Sequence, residues 1–271
     1  MTDHTTSGGA VSTVSNSVPR VAVPPRTGLW TTYATLLRWT FGQTGPMLPF
    51  VIAVEALLAA GIIIGFGFLV PGIDPASARF LSTGAPTVLL MVVGLVIVPM
   101  GVAQARASGT FTYLRAQPVP RPLLLLADLT VWLAVALPSI AVAMVVAWLR
   151  YDFGYVFDWP LLVAAAALTS LTAASVGYAI AVVLPPLLTQ ITTQVLVFFV
   201  MLFSPVTFPA SRLPEWFQTV HDWLPFRPAA DLLRAGLISD SYTASGRDLV
   251  VLLVWCVLGI AISVRALVRR T

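Results

Sequence analysis

The chain contains no lysine, one cysteine and two histidines, and only 10% of its residues are charged. Each shortage excludes something. A single cysteine, Cys256, leaves no intrachain disulfide to form, and within the last apolar run it reads as a small filler. His4 and His221 stand far apart, and no H-E-x-x-H, C-x-x-C or Cys/His cluster accompanies them, so no zinc or haem site is expected. No G-x-S-x-G elbow is present either. His221 and Asp222 are neighbours in sequence, and such neighbours do not face each other on a helix. No G-x-x-x-x-G-K-[ST] occurs, so ATP is not bound here by the P-loop route, and energy for any driven work comes from elsewhere. All fifteen basic residues are arginine, a trait of codon usage without functional weight. A soluble domain averages about 25% charged residues; the deficit here implies a surface turned to lipid.

What the chain does have is apolar length. It is 58% hydrophobic, with a mean hydropathy of +0.91. Roughly 20 apolar residues cross the ~30 Å hydrocarbon layer as a helix, and six runs qualify: 47–70, 85–103, 123–149, 161–184, 187–203 and 249–267. Lipid-exposed backbone must satisfy its own hydrogen bonds, so helices are the default, and no run alternates as a barrel strand does. The expected fold is an all-α integral membrane protein with six transmembrane helices. Residues 1–27, rich in Thr, Ser, Val, Gly and Pro, read as a disordered cytoplasmic tail and not as a signal peptide. Residues 28–271 read as one membrane domain. Trp30, Tyr33, Leu36, Leu37 and Phe41 recur at helical spacing, which suits an amphipathic helix at the cytoplasmic interface; an N-terminal extension of the first span fits the pattern equally.

The net charge of +4 and pI near 9.7 reflect topology, not nucleic-acid binding. With the N-terminus inside and six spans, nine arginines fall on the cytoplasmic side and six outside, the latter with eight of the eleven acids. That satisfies the positive-inside rule. Connection 106–122 and tail 265–271 contain no acid.

Polar groups inside the runs are few. Glu55 lies eight residues into the first run, about 12 Å along at 1.5 Å per residue. A central charge costs about 2.5–3.5 kcal/mol, while fourteen Leu, Ile, Phe and Val in that run return on the order of 6. The span inserts, and Glu55 either lines a substrate path, binds a cation, or bonds to a neighbouring helix. Asp128 near the start of the third run suggests pairing with Arg121 or Arg115. The fourth run is rich in small residues (Ala164 to Ala167, Ser170, Ala173, Ala174, Ser175, Gly177), and Gly61 and Gly65 form a GxxxG, both packing signals. Thr189, Gln190, Thr192, Thr193 and Gln194 open the fifth run with a polar stripe that faces a cavity or a partner helix.

Segment 204–237 is too polar to span and too aromatic for a plain loop. Trp216, Phe217, Trp223 and Phe226 alternate with prolines and charges, as at a membrane–water boundary. In connection 106–122, Thr110 to Gln117 can form two helical turns stopped by Pro118 and Pro120. Phe111, Leu114 and Arg115 share a face there.

Two of these segments together resemble the membrane subunit of type-2 ATP-binding-cassette exporters. One is Gly109-Thr110, Leu114-Arg115, Pro118-Val119-Pro120-Arg121, similar to the family's coupling helix. The other is Ser204, Pro209, Leu213-Pro214, Trp216, Leu224-Pro225 and Arg234, similar to its outer re-entrant hairpin before the last span. The chain departs from the pattern at Ala107, Ser108 and Phe111, where the family often has an acid, and at Ser204-Pro205, where Ser-Gly is usual.

The resemblance implies a permease subunit in the cytoplasmic membrane with both termini inside, not catalytic by itself. It implies no cofactor on this chain, with ATP and Mg held by separate P-loop ATPase subunits. A second permease copy or a paralogue completes the path. Gly109, Thr110, Phe111, Leu114, Arg115, Pro118 and Arg121 are then the ATPase-coupling residues. Glu55, Gln190, Thr193 and Gln194 are candidates for the transport path. Pro209, Leu213, Pro214, Trp216, Phe217, Trp223, Pro225 and Arg234 belong to the outer gate. The implied cargo is amphipathic or lipophilic: a drug, an antibiotic or a lipid-like product. Export of a lipid-linked glycan is the nearest rival, and a membrane enzyme or assembly factor the rival of another class.

Overall fold

The computed structural model describes residues 28–69, 74–109, 120–152 and 154–269. The tail 1–27 and five coupling candidates (Thr110, Phe111, Leu114, Arg115 and Pro118) lie outside the described residues. Among those described, six helical segments are long and apolar enough to cross a membrane: Leu29–Gly65, Pro75–Ala107, Arg121–Tyr151, Trp159–Val183, Pro186–Phe203 and Gly246–Val268. They are spans one to six. The chain is a multi-pass membrane protein, an all-α bundle.

Span one joins α1 (Leu29–Thr44) and α2 (Leu48–Ala60) through a 3-10 turn at Gly45–Met47, and ends in a π-helical turn at Gly61–Gly65. Leu29–Thr44 is thus continuous with the first span. A short helix, α3 (Phe66–Leu69), follows it. Span two comprises α4 (Pro75–Val92), a π-helical turn at Val93–Ile97 and α5 (Val98–Ala107). Asp74 caps α4 by accepting the Ser77 amide at 3.0 Å. The Ser77 side chain and amide hold the Asp74 carboxyl below its ordinary range. Span two stops at Gly109, whose φ of +78° is left-handed, the helix-ending conformation that glycine adopts freely. Spans three, four and five are α6 (Arg121–Tyr151), α7 (Trp159–Val183) and α8 (Pro186–Phe203). A 3-10 turn (Ala210–Arg212), α9 (Glu215–Trp223) and α10 (Phe226–Leu237) lead to α11 (Gly246–Arg269), which contains span six.

Spans two and four form the centre. In the most apolar 18-residue stretch of each, two-thirds of the residues are buried (67%), against 22% for span five and 28% for spans one and six. The small residues of span four are the reason. A Cβ on Gly94 would sit 2.3 Å from the Ala173 Cβ, and one on Gly177 would sit 2.1 Å from the Gly94 carbonyl oxygen. Helices two and four therefore touch backbone to backbone, which in lipid gives dispersion contact that larger side chains would block. Span six packs on the same column. Thr172 donates to the Leu252 carbonyl at 3.2 Å, and Ser175 to that of Cys256 at 3.4 Å. Each such interhelical bond is worth roughly 0.6 kcal/mol. Cys256 itself is a buried free thiol. The GxxxG of span one has a different setting: nothing lies within 4 Å of where a Cβ on Gly61 or Gly65 would be. Within one chain these two glycines bring no helix close.

A two-ended membrane domain

One end of the bundle holds the termini of connection 110–119 together with the last turns of spans four and six. Arg106 donates to the Leu184 carbonyl at 2.7 Å and to that of Ala181. Arg121 donates to the Leu267 and Val268 carbonyls at 2.9 and 3.1 Å. Among the described residues Asp128 has no ion-pair partner. The expected Arg121–Asp128 pair does not form; the guanidinium goes instead to carbonyls at the end of span six, where the negative end of the helix dipole favours a cation.

Segment 204–245 covers the other end. Helix α10 is almost wholly buried, packed on spans two, four and six. Its Arg234 is fully enclosed. The guanidinium carbon lies 3.6 Å from the centre of the Phe80 ring, and Nη1 donates to Asp231 at 2.9 Å. Nη2 donates to the Val206 carbonyl. Arg247 pairs with Asp222 at 3.2 Å, and Arg227 bridges Asp222 and, at 3.5 Å, Asp231. Four ion pairs thus link Arg247, Asp222, Arg227, Asp231 and Arg234 in alternation. Where the sequence begins span four, Asp158 caps α7, and Ser239 N–H bonds back to the Val156 carbonyl at 3.0 Å. Burial pushes the nearby Tyr155 phenol above its ordinary range.

The gate candidates divide by position. Pro209 opens the 3-10 turn, Pro214 opens α9 and Pro225 opens α10, each where a missing N–H costs no hydrogen bond. The Leu213 carbonyl accepts from the Gln218 side chain at 2.8 Å. Phe217 turns inward, edge-on to the buried His221 ring at 4.5 Å, and His221 in turn stacks at 6.0 Å on Phe199 of span five. Trp216 and Trp223 are exposed at 68% and 67%. The Trp223 carbonyl accepts from the Trp255 indole of span six at 2.8 Å.

The path candidates are not brought together within one chain. Glu55 is 1% exposed, and neither carboxyl oxygen has a hydrogen-bond partner among the described residues. Its neighbours on the same face set its level. Val51 packs with Val131 and Val135, and Ala59 with Ala143, so Glu55 faces span three at the level of the buried Ser139. Span five buries Thr189, Thr193, Val197 and Val200 on its inner face. Thr193 Oγ donates to the Gln190 carbonyl at 3.1 Å. Gln190 and Gln194 lie on the opposite, exposed face, among Leu187, Ile191, Val195 and Phe198, which are 52–68% exposed.

Sequence reasoning missed Gly84, Val206, Phe80 and Trp255. It saw Arg106 only as a topogenic charge. A glycine just before the second run and an aromatic one turn earlier carry no motif of their own; their role exists only once α10 is folded against them.

No group of three or more His, Cys, Asp or Glu able to hold a metal occurs among the described residues. No curated protein matches the chain. The family described as "ABC-2 family transporter protein" matches residues 72–265. That match covers well over half of the sequence, from just before span two to the last turn of span six. The chain therefore belongs to the ABC-2 family of membrane transporters, a non-catalytic permease family.

Proposed function

We propose that the chain is the transmembrane subunit of an exporter that moves an amphipathic or lipophilic compound across the cytoplasmic membrane. A separate P-loop ATPase drives it. The observation that carries this reading is the outward pair Gln190 and Gln194. Two amides on an apolar, lipid-length face are costly to leave unpaired in hydrocarbon. They make sense where span five of one copy meets a second copy or a paralogue across a polar passage. Span five's small buried share leaves most of its surface for that purpose. The apolar residues around the pair suit a cargo with a large apolar part.

The end with connection 110–119 is the cytoplasmic one in this reading. Arg106, Arg121 and Arg265 stand there without a nearby acid run, while the acids gather at the other end. Both termini are then cytoplasmic, Phe111, Leu114 and Arg115 meet the ATPase, and α9–α10 form the outer gate. Glu55 borders the passage at the seam of spans one and three. The test is copurification of the tagged chain: a complex of two permease copies with two P-loop ATPase copies supports the reading, and an active chain without an ATPase sinks it. Replacing Leu114 and Arg115 with Ala should then abolish stimulation of hydrolysis by cargo.

A further inference from the structure

Connection 110–119 leaves span two and enters span three, and the arginines flanking it reach the ends of two other helices. Arg106, in the last turn of α5, reaches span four; Arg121, the first residue of α6, reaches span six. Both grips have a physical cause. The last four carbonyls of a helix lack intrahelical donors. After span four the chain continues as Pro185-Pro186, which supplies no N–H to the carbonyls before it. A guanidinium answers two carbonyls at once through its planar fork and complements the negative end of the helix dipole.

The two gripped helices are themselves one body. Gly259 of span six lies against Ser175 of span four, where a Cβ would come within 2.6 Å of Oγ. The bonds from Thr172 and Ser175 to span six carbonyls lie on the same seam. At the far end the same pair holds the outer helices. Gly236 of α10 lies against Leu162 of span four, 2.7 Å from its Cα to a built Cβ, and Trp255 of span six donates to the carbonyl of Trp223 at the end of α9.

We propose that Arg106 and Arg121 are positioning residues that clamp the two ends of connection 110–119 to the span four–span six pair. A displacement of the connection is thereby delivered to that pair and through it to α9 and α10. The proposal rests on the permease reading for the source of the displacement, but the clamps do not.

Two measurements separate these. The first uses the purified full chain in nanodiscs without any ATPase, as Arg106→Gln, Arg121→Gln, Arg106→Lys and Arg121→Lys. Hydrogen exchange should rise about tenfold in the last turn of span four for Arg106→Gln and in the last turn of span six for Arg121→Gln, each without change at the other site. The lysine variants, which keep charge but lose the fork, should fall between. Unchanged exchange at both helix ends overturns the clamps. The second uses the complex with its ATPase. Each glutamine variant should hydrolyse ATP within about twofold of wild type while export falls about tenfold or more. Hydrolysis and export falling in proportion would make the arginines merely structural and overturn the transfer. A wild-type chain that captures no ATPase would sink the permease reading and the transfer step together, while the exchange pattern still decides the clamps.

Discussion

The α-carbon of Gly84 in span two rests against the carbonyl oxygen of Val206: a Cβ there would lie 2.0 Å from that oxygen and 3.0 Å from Nη2 of Arg234. The same carbonyl accepts from Arg234. Helix two, the chain leaving span five and helix α10 thus meet at a single point, and the meeting requires a residue with no side chain.

Gly84→Ala should lower stability. The added methyl displaces backbone, not the end of a flexible side chain, so overpacking of about 1–3 kcal/mol is expected. A thermal melt of the detergent-solubilised full chain checks it. A melt equal to wild type would mean that the contact yields without cost.

The alternating charge network on α9 and α10 should be uneven in worth. Asp222 sits among partly exposed arginines, so Asp222→Asn should cost no more than about 1 kcal/mol, and less in high salt. Arg234 is enclosed, stacked on Phe80 and bonded to Val206. Arg234→Ala should cost about 2–4 kcal/mol through lost packing and an orphaned carbonyl. Equal shifts in melting temperature would contradict this ordering.

Gln190→Leu and Gln194→Leu should leave the subunit's own fold within about 0.5 kcal/mol of wild type, since both side chains lie on the exposed face. Export by the assembled complex should drop, and the double variant should drop furthest. An export profile identical to wild type would remove the amides from the passage.

Glu55→Gln should keep the fold and change the range of cargo exported. Glu55→Leu should raise stability by about 1–3 kcal/mol, because a buried carboxyl without hydrogen-bond partners among the described residues is replaced by an apolar group. Loss of export in a more stable protein would mark Glu55 as functional. Unchanged export with raised stability would leave it a tolerated burden.

The six spans were legible because hydropathy adds along the chain and needs no neighbour to be read. Their edges were less so. Span two begins at Pro75, ten residues before the apolar run at 85. Its first turns are mostly Ala, Ser, Thr and Gly, with Arg79 and Phe80 among them, and α10, far along the sequence, packs on this helix. The small-residue face of span four read correctly as a packing surface, since among the described helices it is the one most dense in Ala, Ser and Gly. The GxxxG of span one has the same letters but, within one chain, no helix against it. The polar stripe of span five could be read, while its split into an inner Thr193 and outer Gln190 and Gln194 could not: rotation about a helix axis is fixed by neighbours, not by composition. Arg121 posed the same problem. An acid one or two turns away was visible in the sequence, and the carbonyls of a helix end 146 positions on were not.

Cys256 is the only thiol in the chain, and it is sealed between spans four and six. Maleimide or nitroxide reagents will therefore find a silent native background, with no lysine amines to compete at high pH. Reporter cysteines placed at either mouth can follow the subunit through its working cycle in an otherwise wild-type protein.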